Sequence, residues 1–185
     1  MAENTKDEQE LVSRLRQPQT ARSAFNEVIR RYSEPLYHQI RRMVQNHDDA
    51  SDLLQNTFLK AWQNLEYFRG DARLSTWLYK IAVNESLSFL ARERKRYAMS
   101  LDDQESALAN MIEADSYFDG AAAAELLRKA VVTLPEKQRL VFNMKYYDEM
   151  KYEEISEILG TSVGALKASY HLAVKKIEKY IEDHR

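Results

Sequence analysis

The sequence predicts an all-α protein of two small helical domains joined by an acidic, flexible linker. Three observations carry that reading. Only 4 Gly and 3 Pro occur among 185 residues, too few for the turns of a barrel, a sandwich or any hairpin-rich sheet. Apolar residues recur at steps of three and four, the period of one helix face. Charge comes in blocks: residues 11–97 carry 15 Lys/Arg against 9 Asp/Glu, residues 98–122 carry six acids and no base, and residues 123–185 carry 11 bases against 10 acids. The net charge of −2 thus conceals a basic N-terminal part beside an acidic tether. Acids without local partners repel one another, so 98–122 reads as a linker between domains at 1–97 and 123–185. Domains of this size each build a modest core.

Composition also excludes chemistry. Cysteine is absent, which rules out a disulfide framework, thiolate catalysis and sulfur-ligated zinc. The four histidines, at 38, 47, 171 and 184, never form an i, i+4 pair, the spacing of a helical zinc site. No metal and no other cofactor is expected. The start, MAENTKDEQE, is acidic and polar, unlike a signal peptide. No apolar run nears the roughly 20 residues of a membrane span. The expectation is a soluble, intracellular protein.

Each element follows from local pattern. Between Thr20 and Asn46 the apolar positions Ala24, Phe25, Val28, Ile29, Tyr32, Leu36, Ile40 and Met43 define a helix, with a kink or break expected near Ser33 because of Pro35. A second helix is expected from Asp48, whose side chain can cap it, through Leu53, Leu54, Phe58 and Trp62. An irregular piece, Leu65 to Arg73, contains Gly70. A third helix, Ser75 to about Arg96, buries Trp77, Leu78, Ile81, Ala82, Leu87 and Leu90 and ends in cations that suit its dipole. After the linker, 121–133 forms a helix. Pro135 fits the first turn of the next, which ends near Tyr147. Ile155, Ile158 and Leu159 line a short helix. Gly160 sits where a helix stop needs positive φ, and Thr161 or Ser162 can cap the last helix. Small Ser156 and Gly160 suit a close crossing of the two.

Three stretches suggest function. In DDASDLLQNTFLKAW, Asp48, Asp49 and Asp52 have the DDxxD spacing of magnesium-binding prenyl-diphosphate enzymes. Such a site needs carboxylates on facing helices around an apolar cavity, and no second acidic cluster exists to face it, so the acids read as caps on a solvated face. The same helix sets Asp52, Gln55 and Lys60 among large apolar groups, a pattern that suits protein docking. In FRGDARLSTWLYKIAVN, Phe68, Trp77 and Tyr79 alternate with Arg69, Arg73 and Lys80. Rings stack on unpaired bases while cations track phosphates; core aromatics with solvated charges would give the same pattern. Last, a short helix, a Gly-containing turn and a longer amphipathic helix are the parts of a helix-turn-helix, though a plain helical hairpin has them too. The last helix offers Lys167, Ser169, His171 and Lys175 as donors for phosphates and base edges.

In this order, with LPEKQRLVFNMKYYDEMKYEEISEILGTSVGALKAS as the third block, these stretches resemble the extracytoplasmic-function sigma factors, the smallest group of the bacterial sigma-70 family. The similarity covers nearly all of residues 20–182. It implies that Asp52, Gln55, Phe58 and Trp62 dock on core RNA polymerase, whose β and β′ subunits would be the partners. It implies that Phe68, Arg69, Asp71, Arg73, Thr76, Trp77, Tyr79, Lys80, Val83 and Asn84 open the promoter −10 element and hold a flipped base. Lys151, Tyr152, Lys167, Ala168, Ser169, His171 and Lys175 match the part that reads the −35 element of promoter DNA. The resemblance implies no enzyme activity, since polymerase does the chemistry. It also implies a cytoplasmic protein with no membrane insertion of its own, controlled by a separate anti-sigma factor. One departure stands out. Ala168, Ser169, Leu172 and Val174 fill positions where the family usually carries arginines. Fewer phosphate contacts imply weaker, less salt-sensitive binding by this domain alone.

Overall fold

A computed structural model describes residues 2–68, 70, 72–99 and 122–184. Most of the acidic linker and the candidate residues Arg69 and Asp71 lie outside the described residues. The described elements are α1 (Ala2–Leu15), α2 (Ala21–Val44), α3 (His47–Gln63), a 3-10 turn (Leu65–Tyr67), α4 (Leu74–Met99), α5 (Ala122–Val132), α6 (Glu136–Tyr146), α7 (Tyr152–Leu159) and α8 (Val163–Asp183).

Helix α1 was not expected from the polar N-terminus. Leu11 and Leu15, one turn apart, are nevertheless 1% and 3% exposed against the rest of the N-terminal domain. Arg14 pairs with Glu27 at 2.8 Å, and Arg31 with Asp7, so two ion pairs fasten α1 along α2. Helix α2 takes one of the two expected alternatives away: it continues through Pro35 and is not two helices. Proline removes one backbone bond and crowds the preceding turn, but Val28, Leu36 and Ile40 on either side are fully buried. Their packing holds the helix together across the lost bond. Helix α3 is capped by Asn46 rather than Asp48. The Asn46 side chain accepts the N–H groups of Asp48 (2.8 Å) and Asp49 (3.1 Å), leaving those acids in the first turn beside the positive end of the dipole.

In the C-terminal half, Pro135 precedes α6 as its N-cap and its carbonyl accepts the Arg139 N–H. Gly160 stops α7 at φ +62, and the Ser162 hydroxyl accepts the Ala165 N–H at the start of α8. Nothing lies within 4 Å of where a Gly160 Cβ would sit. Its role is therefore backbone conformation, and the expected close helix crossing is not made there.

The packing of the two domains on each other is a point that the sequence leaves open. One continuous apolar cluster joins Leu36, Ile40, Leu78 and Val83 of the N-terminal helices to Leu140, Val141, Met144, Ile155, Ile158 and Leu166 of α6, α7 and α8. Helix α2 lies against α6, and α4 against α7. A smaller cluster of Val131, Leu134, Phe142, Ala173 and Ile177 holds α5, α6 and α8 together.

Candidate nucleic-acid interface

Helix α3 divides its residues by face. Ala50, Leu53, Thr57, Phe58 and Ala61 turn inward. Asp52, Gln55, Leu59 and Trp62, at steps of three and four, turn outward, with Leu59 55% and Trp62 42% exposed. Trp62 leans edge-on against Phe25, 5.0 Å between centroids. Phe58, a candidate docking residue from sequence, belongs to the inward stripe. It is 7% exposed and meets Phe25 edge-to-face at 6.3 Å, so it supports the helix instead of offering surface. Leu59, which sequence reading did not single out, completes the outward stripe. The signal for it was present, four residues after Gln55 and three before Trp62. Lys60 bridges to Glu85 of α4 at 2.5 Å. Burial and the carboxylates of Glu93, Asp52 and Asp48 push the Asp49 carboxyl upward.

The 68–84 stretch is built on a brace from α1. Glu8 Oε1 accepts the Leu74 N–H at 2.6 Å, placing a carboxylate at the positive end of α4. Gly70 has φ +79, and a Cβ there would lie 2.9 Å from an Arg16 guanidinium nitrogen. Phe68 is 7% exposed and lies against Trp77, 4.9 Å between centroids at a 34° tilt. A cleft of about 580 Å³ opens beside this turn, lined by Leu15, Arg16, Pro18, Leu65, Glu66 and Phe68.

Along α4 the candidate residues separate. Arg73, Lys80 and Asn84 are exposed and Trp77 is half-buried, whereas Thr76, Tyr79 and Val83 are 7%, 7% and 1% exposed. Steps of three and four put the buried three on one stripe. They do not form an open stacking surface in this packing, contrary to the sequence expectation, and neither does Phe68. Burial raises the Tyr79 hydroxyl pKa strongly; Asp148 adds to the rise and Arg42 opposes it. A residue of the C-terminal domain therefore stands near the strand-binding candidate.

The helix-turn-helix presents Lys167, Ala168, His171 and Lys175 outward, with Ser169 half-buried. Lys151 is exposed at the start of α7, where Glu154 accepts its N–H at 2.9 Å. Tyr152 is half-buried, and the ammonium groups of Lys145 and Lys167 stand over its ring at 5.1 and 5.8 Å. Tyr152 and Lys167 thus form one unit from two helices, each ring–cation contact favourable. Leu172, further along α8, is 50% exposed.

Among the described residues, three ion pairs join the two domains: Arg42–Asp148, Arg73–Glu154 at 3.3 Å and Arg94–Glu136 at 3.0 Å. In each, the arginine comes from the N-terminal domain and the carboxylate from the C-terminal one. Arg42 also stands over the Tyr147 ring at 5.0 Å. Burial pushes the Asp148 carboxyl up to about 6 against the pull of Arg42.

Comparison with known proteins agrees with both modules. A family model described as Sigma-70 region 2 matches residues 28–96, and one described as Sigma-70, region 4 matches residues 124–177. The chain is 30% identical over 174 residues to the ECF RNA polymerase sigma-E factor of Escherichia coli strain K12, covering 86% of this chain and 87% of that protein. It is 29% identical over 168 residues to the ECF RNA polymerase sigma factor SigW of Bacillus subtilis strain 168, covering 86% and 90%. Among solved structures its fold is like CnrH in complex with the cytosolic domain of CnrY (TM-score 0.70, 20% identity, 96% of this chain and 99% of that chain). It is also like the sigma factor RpoE in complex with the anti-sigma factor NepR from Bartonella quintana (TM-score 0.65, 23% identity, 87% and 98%). Among the described residues no helix is long and apolar enough to cross a membrane. With both modules in order and the helix-turn-helix built as its caps dictate, the chain belongs to the extracytoplasmic-function sigma factors of the sigma-70 family, proteins that give RNA polymerase its promoter specificity.

Proposed function

We propose that this sigma factor docks on core RNA polymerase through the outward face of α3, with Asp52, Gln55, Leu59 and Trp62 as its contacts. The apolar Leu59 and Trp62 flanked by polar groups have the make-up of a protein-binding patch. Arg73, Lys80 and Asn84, with Trp77 beside them, serve the −10 element: cations track the phosphates of an unpaired strand and the indole offers a stacking edge. Lys167, Ser169, His171 and Lys175, with Lys151 and Tyr152 at the base of α7, serve the −35 major groove. The units carrying these surfaces are domains 1–97 and 123–185, tethered by 98–122.

The protein works in the cytoplasm, is no enzyme, and leaves bond formation to polymerase. Its partners are the β and β′ subunits, promoter DNA and an anti-sigma factor; one similar solved structure is a sigma factor in complex with an anti-sigma factor. The observation that carries the reading is the outward stripe on α3 followed, in one chain, by a capped helix-turn-helix with an exposed cationic helix.

Runoff transcription with core polymerase on a genomic promoter pool tests it. Expected are discrete transcripts sharing two upstream elements, lost when Trp62 is changed to Glu. Specific duplex binding by the free protein, with no transcripts when polymerase is added, would instead mark an ordinary DNA-binding regulator.

A further inference from the structure

Helix α4 starts on a residue that cannot cap it. The Trp77 N–H bonds to the Arg73 carbonyl at 3.1 Å, which puts Arg73 at the capping position. A guanidinium carries donors only, so the Arg73 side chain cannot accept the N–H groups left over at a helix start. Helix α1 meets one of them from 66 residues away: Glu8 Oε1 accepts the Leu74 N–H at 2.6 Å. We propose that Glu8 is a positioning residue for capture of the unpaired −10 strand, holding the first turn of α4 in the setting from which Arg73 and Trp77 grip it. The inference rests on the reading of α4 as the strand-holding face.

Three features argue that this contact is built for its place. First, α1 is itself fixed. Leu11 and Leu15 are buried, Arg14 meets Glu27 of α2 at 2.8 Å, and Arg31 of α2 meets Asp7, the neighbour of Glu8. Glu8 is half-buried. Burial and then the Glu8 carboxylate raise the Tyr32 hydroxyl of α2, with Arg31 opposing, so Glu8 stands among three helices. Second, the same segment holds the preceding turn at another point. Arg16, just past the end of α1, lies so near Gly70 that a Cβ there would be 2.9 Å from its guanidinium, and Leu15 lines one cleft with Phe68. Third, the charge of Glu8 has the wrong sign for a face that binds DNA, because a carboxylate repels the phosphates that Arg73 and Lys80 attract. What it contributes there is geometry. Helix α1 also precedes residues 28–96, the stretch matched to Sigma-70 region 2, so this support comes from outside that module.

Helix ends open more readily than helix centres. Loss of a capping acceptor shifts such a first turn about fivefold toward the frayed state. Strand affinity follows the fraction of molecules whose first turn is formed, so the loss is passed on to the DNA. Gln at position 8 keeps an acceptor oxygen and loses only the charge beside the helix dipole, an effect of about twofold.

Holoenzyme made from core polymerase and the full chain tests this, with a dye-labelled pool of single-stranded non-template promoter DNA as the probe. Expected for Glu8→Ala is strand affinity lowered by about threefold to fivefold. Amide hydrogen exchange should quicken in the first turn of α4, while affinities for core polymerase and for duplex −35 DNA stay unchanged. Glu8→Gln should recover most of the strand affinity. Glu10→Ala, which removes an exposed carboxylate from the same helix, should change none of these. The direction separates the two roles a carboxylate can have: removing a charge that acts only through its field strengthens strand binding, and removing a positioning group weakens it. Circular dichroism checks that each variant is folded; if Glu8→Ala is not, Glu8→Gln carries the test, with weakening of about twofold expected. Strand affinity that is unchanged or raised, or that falls equally in Glu10→Ala or equally for duplex −35 DNA, overturns the proposal. Arg73→Ala and Lys80→Ala are measured alongside. Strand affinity that ignores both overturns the strand-holding reading of α4; affinity lowered by both but not by Glu8→Ala overturns the positioning role alone.

Discussion

Tyr79 shows at the residue scale how burial alters what a side chain can report. Its ring is 7% exposed between domains, so Tyr79→Ala removes packing as well as any DNA contact. Expected is a loss of about 3 kcal/mol of stability in urea unfolding, whereas Tyr79→Phe should stay within about 1 kcal/mol of the parent protein. Promoter opening is therefore read cleanly in Tyr79→Phe and not in Tyr79→Ala. Lys167 is the opposite case: exposed, and held over the Tyr152 ring. Lys167→Ala should leave stability within about 0.5 kcal/mol. It should weaken promoter binding by the holoenzyme, and the slope of log affinity against log salt should fall by about 1 if the ammonium meets a phosphate. An unchanged slope would assign Lys167 to a base edge or to no contact.

At the scale of elements, caps and stops carry local stability that sequence reading located to within two residues. The Asn46 side chain satisfies two N–H groups of α3, so Asn46→Ala should cost about 1 kcal/mol. Asp48→Ala should cost less, because it does not cap. Gly160 has φ +62 with open space around it. Gly160→Ala therefore isolates backbone strain, expected at about 1 kcal/mol with no clash; a thermal melt of each variant measures both. Helix α1 is the element the sequence concealed. Its charged residues outnumber its apolar ones, yet Leu11 and Leu15 are buried and Glu8 holds the start of α4. Removing residues 1–17 should destabilise the chain by more than about 3 kcal/mol. Glu8→Gln, which keeps the size but loses the charge at the dipole, should cost under about 1 kcal/mol and slow promoter opening without changing polymerase affinity.

For the whole molecule, the blocks of charge visible in the sequence supply ion pairs around the apolar cluster that the two domains share. The basic N-terminal domain supplies each arginine of the three cross-domain pairs. The exposed pairs are screened by salt and the sheltered one is not. Arg42→Ala, which leaves the sheltered Asp148 carboxylate without its partner, should therefore lower stability in urea unfolding by more than about 1 kcal/mol, and the loss should persist when salt is raised from about 0.05 to about 0.5 M.

Helix positions, the helix-turn-helix stop at Gly160, the Ser162 cap and the order of the two modules follow from short-range rules: apolar period, capping chemistry and the freedom of glycine at positive φ. Those rules act within a few residues and can be read from the chain itself. They define which residues share a face, but not what that face meets. Phe58 and Leu59 are adjacent, and only packing against Phe25 decides that one is core and the other surface. Pro35 marks a break in any isolated helix, and only the buried residues on either side keep α2 whole. Tyr79, Arg73 and Asp148 take their settings from a contact between domains that sequence leaves unassigned. That contact joins groups far apart in the chain, Arg42 to Asp148 foremost, and its strength depends on desolvation, which tertiary structure alone sets.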